Sequence, residues 1–216
     1  MKGQKNNRCV IVGGADINNC QYIRSLLRED DFVICCDSGL RHREQLQIKP
    51  SLIVGDFDSY ADPHLDTETI TLPCEKDDTD TVYAAKEAVR RGYRDFLLVG
   101  VAGGRLDHTL GNLSILLYLD SAGCRGSIID DFSQMEIVSR ESAYITDDHP
   151  YFSLLNISGC AKGITVTGAK YPLDNGEINC EYQYGISNEV LPGGRAEVKL
   201  CEGKLLLVRI LPGCKC

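Results

Sequence analysis

Aspartates crowd three short stretches of this sequence: Gly55-Asp56-Phe57-Asp58-Ser59, Glu75-Lys76-Asp77-Asp78-Thr79-Asp80-Thr81 and Gly103-Gly104-Arg105-Leu106-Asp107-His108. Along an extended backbone side chains alternate with a period of two, so Asp56 and Asp58 are expected to point to the same side. Each stretch follows or flanks an apolar run, which predicts that all three meet at one edge of a sheet. Two unit charges about 4 Å apart repel by about 4 kcal/mol at an effective dielectric of about 20, so carboxylates converging there call for a cation between them. The donors are all oxygen, His and Cys partners at metal spacing are missing, and Lys76 and Arg105 lie beside the acidic turns. That combination points to Mg²⁺ carrying a phosphate ligand. Magnesium uses one or two carboxylates directly and fills its shell with water, so not every aspartate need touch it.

Competing chemistries fit less well. Asp56-Phe57-Asp58-Ser59-Tyr60-Ala61 begins like a calcium loop, but Ala61 stands where the sharp turn needs glycine and Thr67 where the loop needs its closing Glu. Gly13-Gly14 belongs to neither GxGxxG nor GxxxxGK[ST], which disfavours Rossmann dinucleotide and P-loop chemistry. Asp and Thr at a helix start cap free amides, so part of the 75–81 cluster has a purely structural explanation. His108 reads as a capping or packing residue, and His42, His64 and His149 carry no catalytic signal. A single aspartate-rich turn is most often a solvated loop. Three of them at consecutive strand ends are harder to explain without a ligand.

The elements that must position these residues follow from hydrophobic periodicity. CVIV (9–12), FVICC (32–36), LIV (52–54), FLLV (96–99) and residues 127–129 read as buried strands. Between them lie helical patterns: Tyr22, Ile23, Leu26 and Leu27; Leu40 to Leu46; Thr79 to Arg91, with Val82, Ala85, Ala88 and Val89 on one face; and Leu106 to Leu119. Strands alternating with helices predict an α/β domain, a mainly parallel sheet with helices on both faces. In such sheets ligands gather beyond the carboxyl ends of the strands. From Met135 onward the pattern changes to MEIVS, AYIT, YFSLLNI, GITVTGA, AEVKL and KLLLVRIL, separated by Gly, Pro, Asn and Asp. That spacing predicts a C-terminal antiparallel β-sandwich, giving domains of residues 1–133 and 134–216.

The 216 residues are long enough for a substantial core, and 43% hydrophobic with 25% charged residues is an ordinary globular composition. A net charge of −8 and a pI near 5.0 disfavour broad nucleic-acid binding. No stretch approaches the roughly 18 apolar residues of a membrane span, and the four-residue apolar run near the start is too short for a signal peptide. The eleven cysteines contain no CxxC pair. They are expected to act mostly as small apolar fillers in a reducing cytoplasm.

The order and spacing of Cys36-Asp37-Ser38-Gly39, Pro50-Ser51-Leu52-Ile53-Val54-Gly55-Asp56-Phe57-Asp58-Ser59, Lys76-Asp77-Asp78-Thr79-Asp80, Gly104-Arg105-Leu106-Asp107-His108 and Gly185-Ile186-Ser187-Asn188-Glu189 resemble the thiamine pyrophosphokinase (thiamine diphosphokinase) family. The resemblance runs from about Val10 to Ile210 and agrees with the two-part organisation. It implies transfer of the diphosphoryl group of ATP to the hydroxyl of thiamine, releasing AMP. It further implies that Asp56, Asp58, Asp80 and Asp107 organise Mg²⁺ and the triphosphate and are the catalytic set. Asp37, Lys76, Thr79 and Arg105 would contact the nucleotide, and Ser187 and Asn188 would hold the thiamine pyrimidine. Family members work as homodimers, so the loop bearing Ser187 is expected to complete a site shared between subunits. The chain has no Trp, which leaves Tyr171, Tyr182 and Tyr184 as candidates to stack on thiamine. Two other readings stay open: a Mg²⁺-dependent transferase acting on another small alcohol, and a module that senses nucleotide or thiamine diphosphate without turnover.

Overall fold

The structure, a computed structural model, describes residues 7–57, 65–75 and 77–214. Two compact units divide the chain, Met1–Asp131 and Phe132–Cys216.

The first unit is built on a parallel sheet. Its strands are β1 (Cys9–Val12), β2 (Phe32–Cys36), β3 (Leu52–Gly55), β4 (Thr69–Thr71), β5 (Asp95–Val99) and β6 (Arg125–Ile129). They lie in the order β6-β5-β1-β2-β3-β4, with Cys9 facing both Phe32 and Phe96 in register. Every residue of β1 and β3 is buried, as expected for strands covered on both faces. The helices are α1 (Cys20–Leu26), α2 (Arg43–Leu46), α3 (Asp80–Arg90) and α4 (Leu106–Ser121). The chain steps outward from β1 to β2, β3 and β4, then returns to the other side of β1 for β5 and β6. Right-handed crossovers in opposite directions place their helices on opposite faces. Accordingly α1 packs with α2, while α3 packs with α4 and lays Ala84, Ala85 and Ala88 on the sheet.

Two elements of this unit differ from the sequence expectation. The helical pattern around Leu40 begins as a 3-10 helix, Asp37–His42, and only the four residues of α2 are α-helical. The tighter winding puts Asp37 directly at the end of β2. The short strand β4, with exposed Thr69 and Thr71, carries too few apolar residues for its pattern to stand out.

The second unit holds two antiparallel sheets. One is β12 (Gly185–Asn188), β9 (Phe152–Leu155), β14 (Leu205–Ile210) and β7 (Ser133–Val138), in that order. The other is β11 (Leu173–Asn179), β10 (Cys160–Thr167), β13 (Arg195–Lys199) and β8 (Ala143–Thr146). Their inward residues, among them Phe152, Leu154, Ile164, Val166, Ile178, Val198, Leu205 and Leu207, form one buried core. Along β8 Ala143 and Ile145 are buried while Tyr144 and Thr146 are exposed, one face on that core and one in water. Strands β11 and β12 escape the hydrophobic pattern because both are mostly exposed edges, and each pairs through a shifted register. No helix among the described residues is long and apolar enough to cross a membrane, and no disulfide joins the described cysteines.

Candidate active site

The carboxyl ends of β2 and β3 lie side by side, because the two strands are hydrogen-bonded neighbours with Cys36 opposite Val54. Asp37 leaves β2 with φ of 30°, and Phe57 follows Asp56 with φ of 57°. Both values lie in the left-handed region that side-chain-bearing residues seldom occupy, and such strain concentrates at functional sites. A Cβ on Gly39 would overlap the carbonyl oxygen of Val12, so only glycine lets the turn after β2 press against β1. At the same edge Thr79 caps α3 by accepting from the Val82 amide at 3.3 Å, and Asp80 is the first residue of that helix.

These turns bring Asp37, Asp56 and Asp80 together. One carboxylate oxygen from each lies within 4.8 Å of the others, with Asp37 buried and the other two half-buried. Among the described residues no other group of His, Cys, Asp or Glu side chains meets this geometry. Three negative oxygens this close repel strongly unless a cation sits among them. Thiols do not compete for that cation. Burial, reinforced by the nearby Asp80 carboxylate, pushes the Cys36 thiol well above its usual value, and burial lifts Cys35 to about 12 against the opposing pull of Arg43. Both stay protonated, so the donors on offer are oxygens, the set that suits a hard divalent ion such as Mg²⁺.

The remaining expected residues of this unit occupy several places. Asp58 and Lys76 lie outside the described residues. Asp107 is exposed on the first turn of α4 and forms a bidentate pair with Arg105, with contacts of 2.6 and 3.2 Å. The hydrogen bonds from Arg105 are the main reason its carboxyl is lowered to about 2. Asp107 is not a member of the trio. Asp78 is engaged by Lys86 at 2.7 Å. The loop carrying Arg105 is braced by Asn112, whose buried amide donates to Val101 O at 2.8 Å, and by the Gly103 amide, which donates to Thr109 Oγ1.

Residues without a sequence signal also shape the site. Buried His42, at the end of the 3-10 helix that Asp37 opens, has Nε2 2.8 Å from Ala15 O. Arg41 Nε lies 3.3 Å from the same nitrogen. Burial, with the Arg41 guanidinium close by, holds the imidazole pKa below its ordinary value. Arg41 reaches Asp16 at 2.5 Å. Together they tie the turn after β1 to the turn after β2. Neither contact has a motif, because it joins residues 25 and 27 positions apart.

In the second unit Ser187 and Asn188 end β12. Ser187 has φ of 57° and donates its amide to Ser153 Oγ at 3.0 Å, while Asn188 is buried. Tyr171, Tyr182 and Tyr184 are all exposed. Tyr182 and Tyr184 pack on each other at 5.3 Å, and the Tyr184 hydroxyl donates to Glu177 O.

Comparison with known proteins accounts for both halves of this arrangement. The model described as "Thiamin pyrophosphokinase, catalytic domain" matches residues 23–127, and "Thiamin pyrophosphokinase, vitamin B1 binding domain" matches 135–205. The thiamine pyrophosphokinase of Bacillus subtilis is 28% identical over 207 residues, covering 92% of this chain and 96% of its own. The crystal structure of thiamine pyrophosphokinase from Bacillus subtilis has a TM-score of 0.84 at 25% identity, covering 95% of this chain and 99% of its own. That from Geobacillus thermodenitrificans has a TM-score of 0.81 at 27% identity, covering 95% and 98%. With both domain models matched in order and the carboxylate trio falling within the first, the chain belongs to the thiamine pyrophosphokinase family.

Proposed function

We propose that this protein is a thiamine diphosphokinase, an enzyme that moves the terminal diphosphoryl group of ATP to the thiamine hydroxyl. The thiamine oxygen forms a bond to the β-phosphorus as the bond from that phosphorus to the α,β-bridging oxygen breaks. AMP leaves with the bridging oxygen, and the hydroxyl proton is released. The observation that carries this reading is the meeting of Asp37, Asp56 and Asp80 at the carboxyl edge of a parallel sheet.

Phosphoryl-type transfer asks a protein chiefly for alignment and charge neutralisation. Asp37, Asp56 and Asp80 are suited to hold Mg²⁺, with Asp58 and Asp107 as further members by family resemblance. When bound, the ion offsets polyphosphate charge. Lys76, Thr79 and Arg105 are assigned to the nucleotide, and Asp37 lines the same cleft. Attack at the β- rather than the γ-phosphorus requires only that the acceptor oxygen be held over a different atom of the same chain. Ser187 and Asn188 belong to the thiamine half of the site. The cationic thiazolium suits a protein of net charge −8. The same resemblance supports a homodimer in which the Ser187 loop serves the partner subunit's site, and the absence of a disulfide among the described cysteines suits the cytoplasm.

Incubation with ATP, Mg²⁺ and thiamine tests the reading. AMP and thiamine diphosphate should appear in equal amounts. ADP with thiamine monophosphate would overturn attack at the β-phosphorus, and tighter nucleotide or thiamine binding without any AMP would make the protein a sensor.

A further inference from the structure

The turn after β1 reaches along the carboxyl edge of the parallel sheet and is held at both ends. Toward β6 its anchor is Asp131, two residues beyond that strand. Asp131 Oδ1 accepts from the Asn18 amide at 2.9 Å and the Asn19 amide at 2.8 Å, and Oδ2 accepts from the Asn18 carboxamide at 2.6 Å. Asn19 in turn caps α1 by accepting from the Tyr22 amide at 3.3 Å. The start of the turn is bonded to the end of β5, where the Gly13 amide donates to Val99 O at 2.9 Å and the Ala15 amide to Gly100 O at 2.8 Å. Toward β2 it meets the 3-10 helix through the Asp16–Arg41 pair and the contact of His42 with Ala15 O. There it also presses on the residue that follows Asp37, since a Cβ on Gly14 would overlap Ser38 Oγ.

Residues 13–19 therefore form a strut. Strands β5 and β1 lie between β6 and β2, so it spans about 14 Å at the roughly 4.8 Å spacing of paired strands. Its far anchor is a fixed one. Burial by itself would raise the Asp131 carboxyl, and the hydrogen bonds from Asn19 and Asn18 outweigh that and lower it. Its near end supports a strained residue: Asp37 has φ of 30°, a conformation that persists only where the surroundings hold it. Magnesium demands close to ideal octahedral geometry, so a small displacement of one carboxylate is felt as lost affinity.

We infer that Asp131 is a positioning residue for the metal site, acting through residues 13–19 to hold the turn that carries Asp37 at its spacing from Asp56 and Asp80. This rests on the Mg²⁺ role given to the trio above and is independent of which group is transferred. Asp131 itself is not a member of the trio.

Magnesium binding to the full-length protein, read by calorimetry and by the rise in melting temperature on adding Mg²⁺, tests the inference without turnover. The Mg²⁺ concentration for half-maximal AMP formation gives a second readout. Asp131→Ala should weaken Mg²⁺ binding and raise that concentration by about fivefold, within the range by which residues remote from a ligand modulate its binding. Thiamine KM at saturating Mg²⁺ should hold. Asp131→Asn keeps an oxygen for the two backbone amides and should restore most of the affinity. Arg8→Ala serves as the control for lost stability, because it breaks a 2.7 Å pair with Asp31 at the opposite, amino end of the sheet. It should lower the melting temperature without moving Mg²⁺ binding. Unchanged Mg²⁺ binding in Asp131→Ala, or an equal loss in Arg8→Ala, would overturn the inference and leave Asp131 as support for the fold alone. Should Asp131→Ala fail to fold, Asn18→Ala removes the 2.6 Å contact by itself and should weaken Mg²⁺ binding in the same direction; no change there would be equally damaging. A wild type that binds Mg²⁺ yet makes no AMP would sink the functional reading while leaving the positioning role standing, and one that binds no Mg²⁺ would sink both.

Discussion

Asp37 lies against Gly55 so closely that a Cβ added to the glycine would sit 3.0 Å from the Asp37 Cβ and 3.2 Å from its Cα. The missing side chain at the end of β3 makes room for the carboxylate-bearing turn at the end of β2. Gly55 thus sets the spacing between Asp37 and Asp56, the residue that follows it.

Gly55→Ala should therefore displace the Asp37 turn. Overpacking of this kind costs about 1–3 kcal/mol, and the same shift should spread the carboxylates. The expected result is a lower melting temperature together with a higher Mg²⁺ requirement for AMP formation. A variant with both unchanged would show that the backbone absorbs the methyl group.

Asp56→Asn separates metal holding from folding. Removing one of three crowded charges relieves repulsion, so melting temperature without Mg²⁺ should hold or rise. AMP formation should fall by at least about a hundredfold, the scale of losing a preorganised electrostatic contact. Added Mg²⁺ should raise the melting temperature of the wild type and leave the variant nearly unmoved. Full activity at saturating Mg²⁺ would remove Asp56 from the site.

His42 predicts a dependence on pH. Its pKa in the fold is held below the ordinary 6.5, chiefly by burial. The unfolded chain therefore takes up the proton more readily, and this contribution to stability is present above pH 6.5 and lost as pH falls through the folded value. Melting temperature should decline through that window in the wild type. In His42→Gln, whose amide can still donate to Ala15 O, that part of the decline should flatten. Identical pH profiles would assign the acid sensitivity to other groups.

Ser187 holds φ of 57°, a conformation that glycine adopts without strain. Ser187→Gly should keep or raise the melting temperature, by up to about 1 kcal/mol of relieved strain, while raising thiamine KM. ATP KM should stay near the wild-type value. A shift confined to ATP would contradict the placement of Ser187 in the thiamine half.

The clarity of each element in the sequence followed its burial. CVIV and LIV are continuous apolar runs because β1 and β3 are covered on both faces, and they were readable without a structure. Strand β11, written LDNGEIN, is an edge that turns Asp174, Asn175 and Glu177 to water, and edge strand β12, written GISN, exposes Ile186 and buries Asn188, so no alternation marked them. Edge strands form because a neighbour offers hydrogen bonds, and that offer is invisible along the chain. The 3-10 winding at Asp37 depends on the same kind of external constraint, the close approach of Gly39 to Val12 and of Gly55 to Asp37.

Residue order alone carried the parallel-sheet domain, the sandwich that follows it, and the recurrence of aspartates after apolar strands, because periodicity and turn chemistry are local properties. Among the described residues, folding in three dimensions selected Asp37, Asp56 and Asp80 as the carboxylates that meet, put Asp107 in a pair with Arg105, and joined Asn188 to Tyr171. Such choices rest on distances between residues remote in the chain, and those distances come from strand order and glycine-permitted contacts that no local pattern encodes.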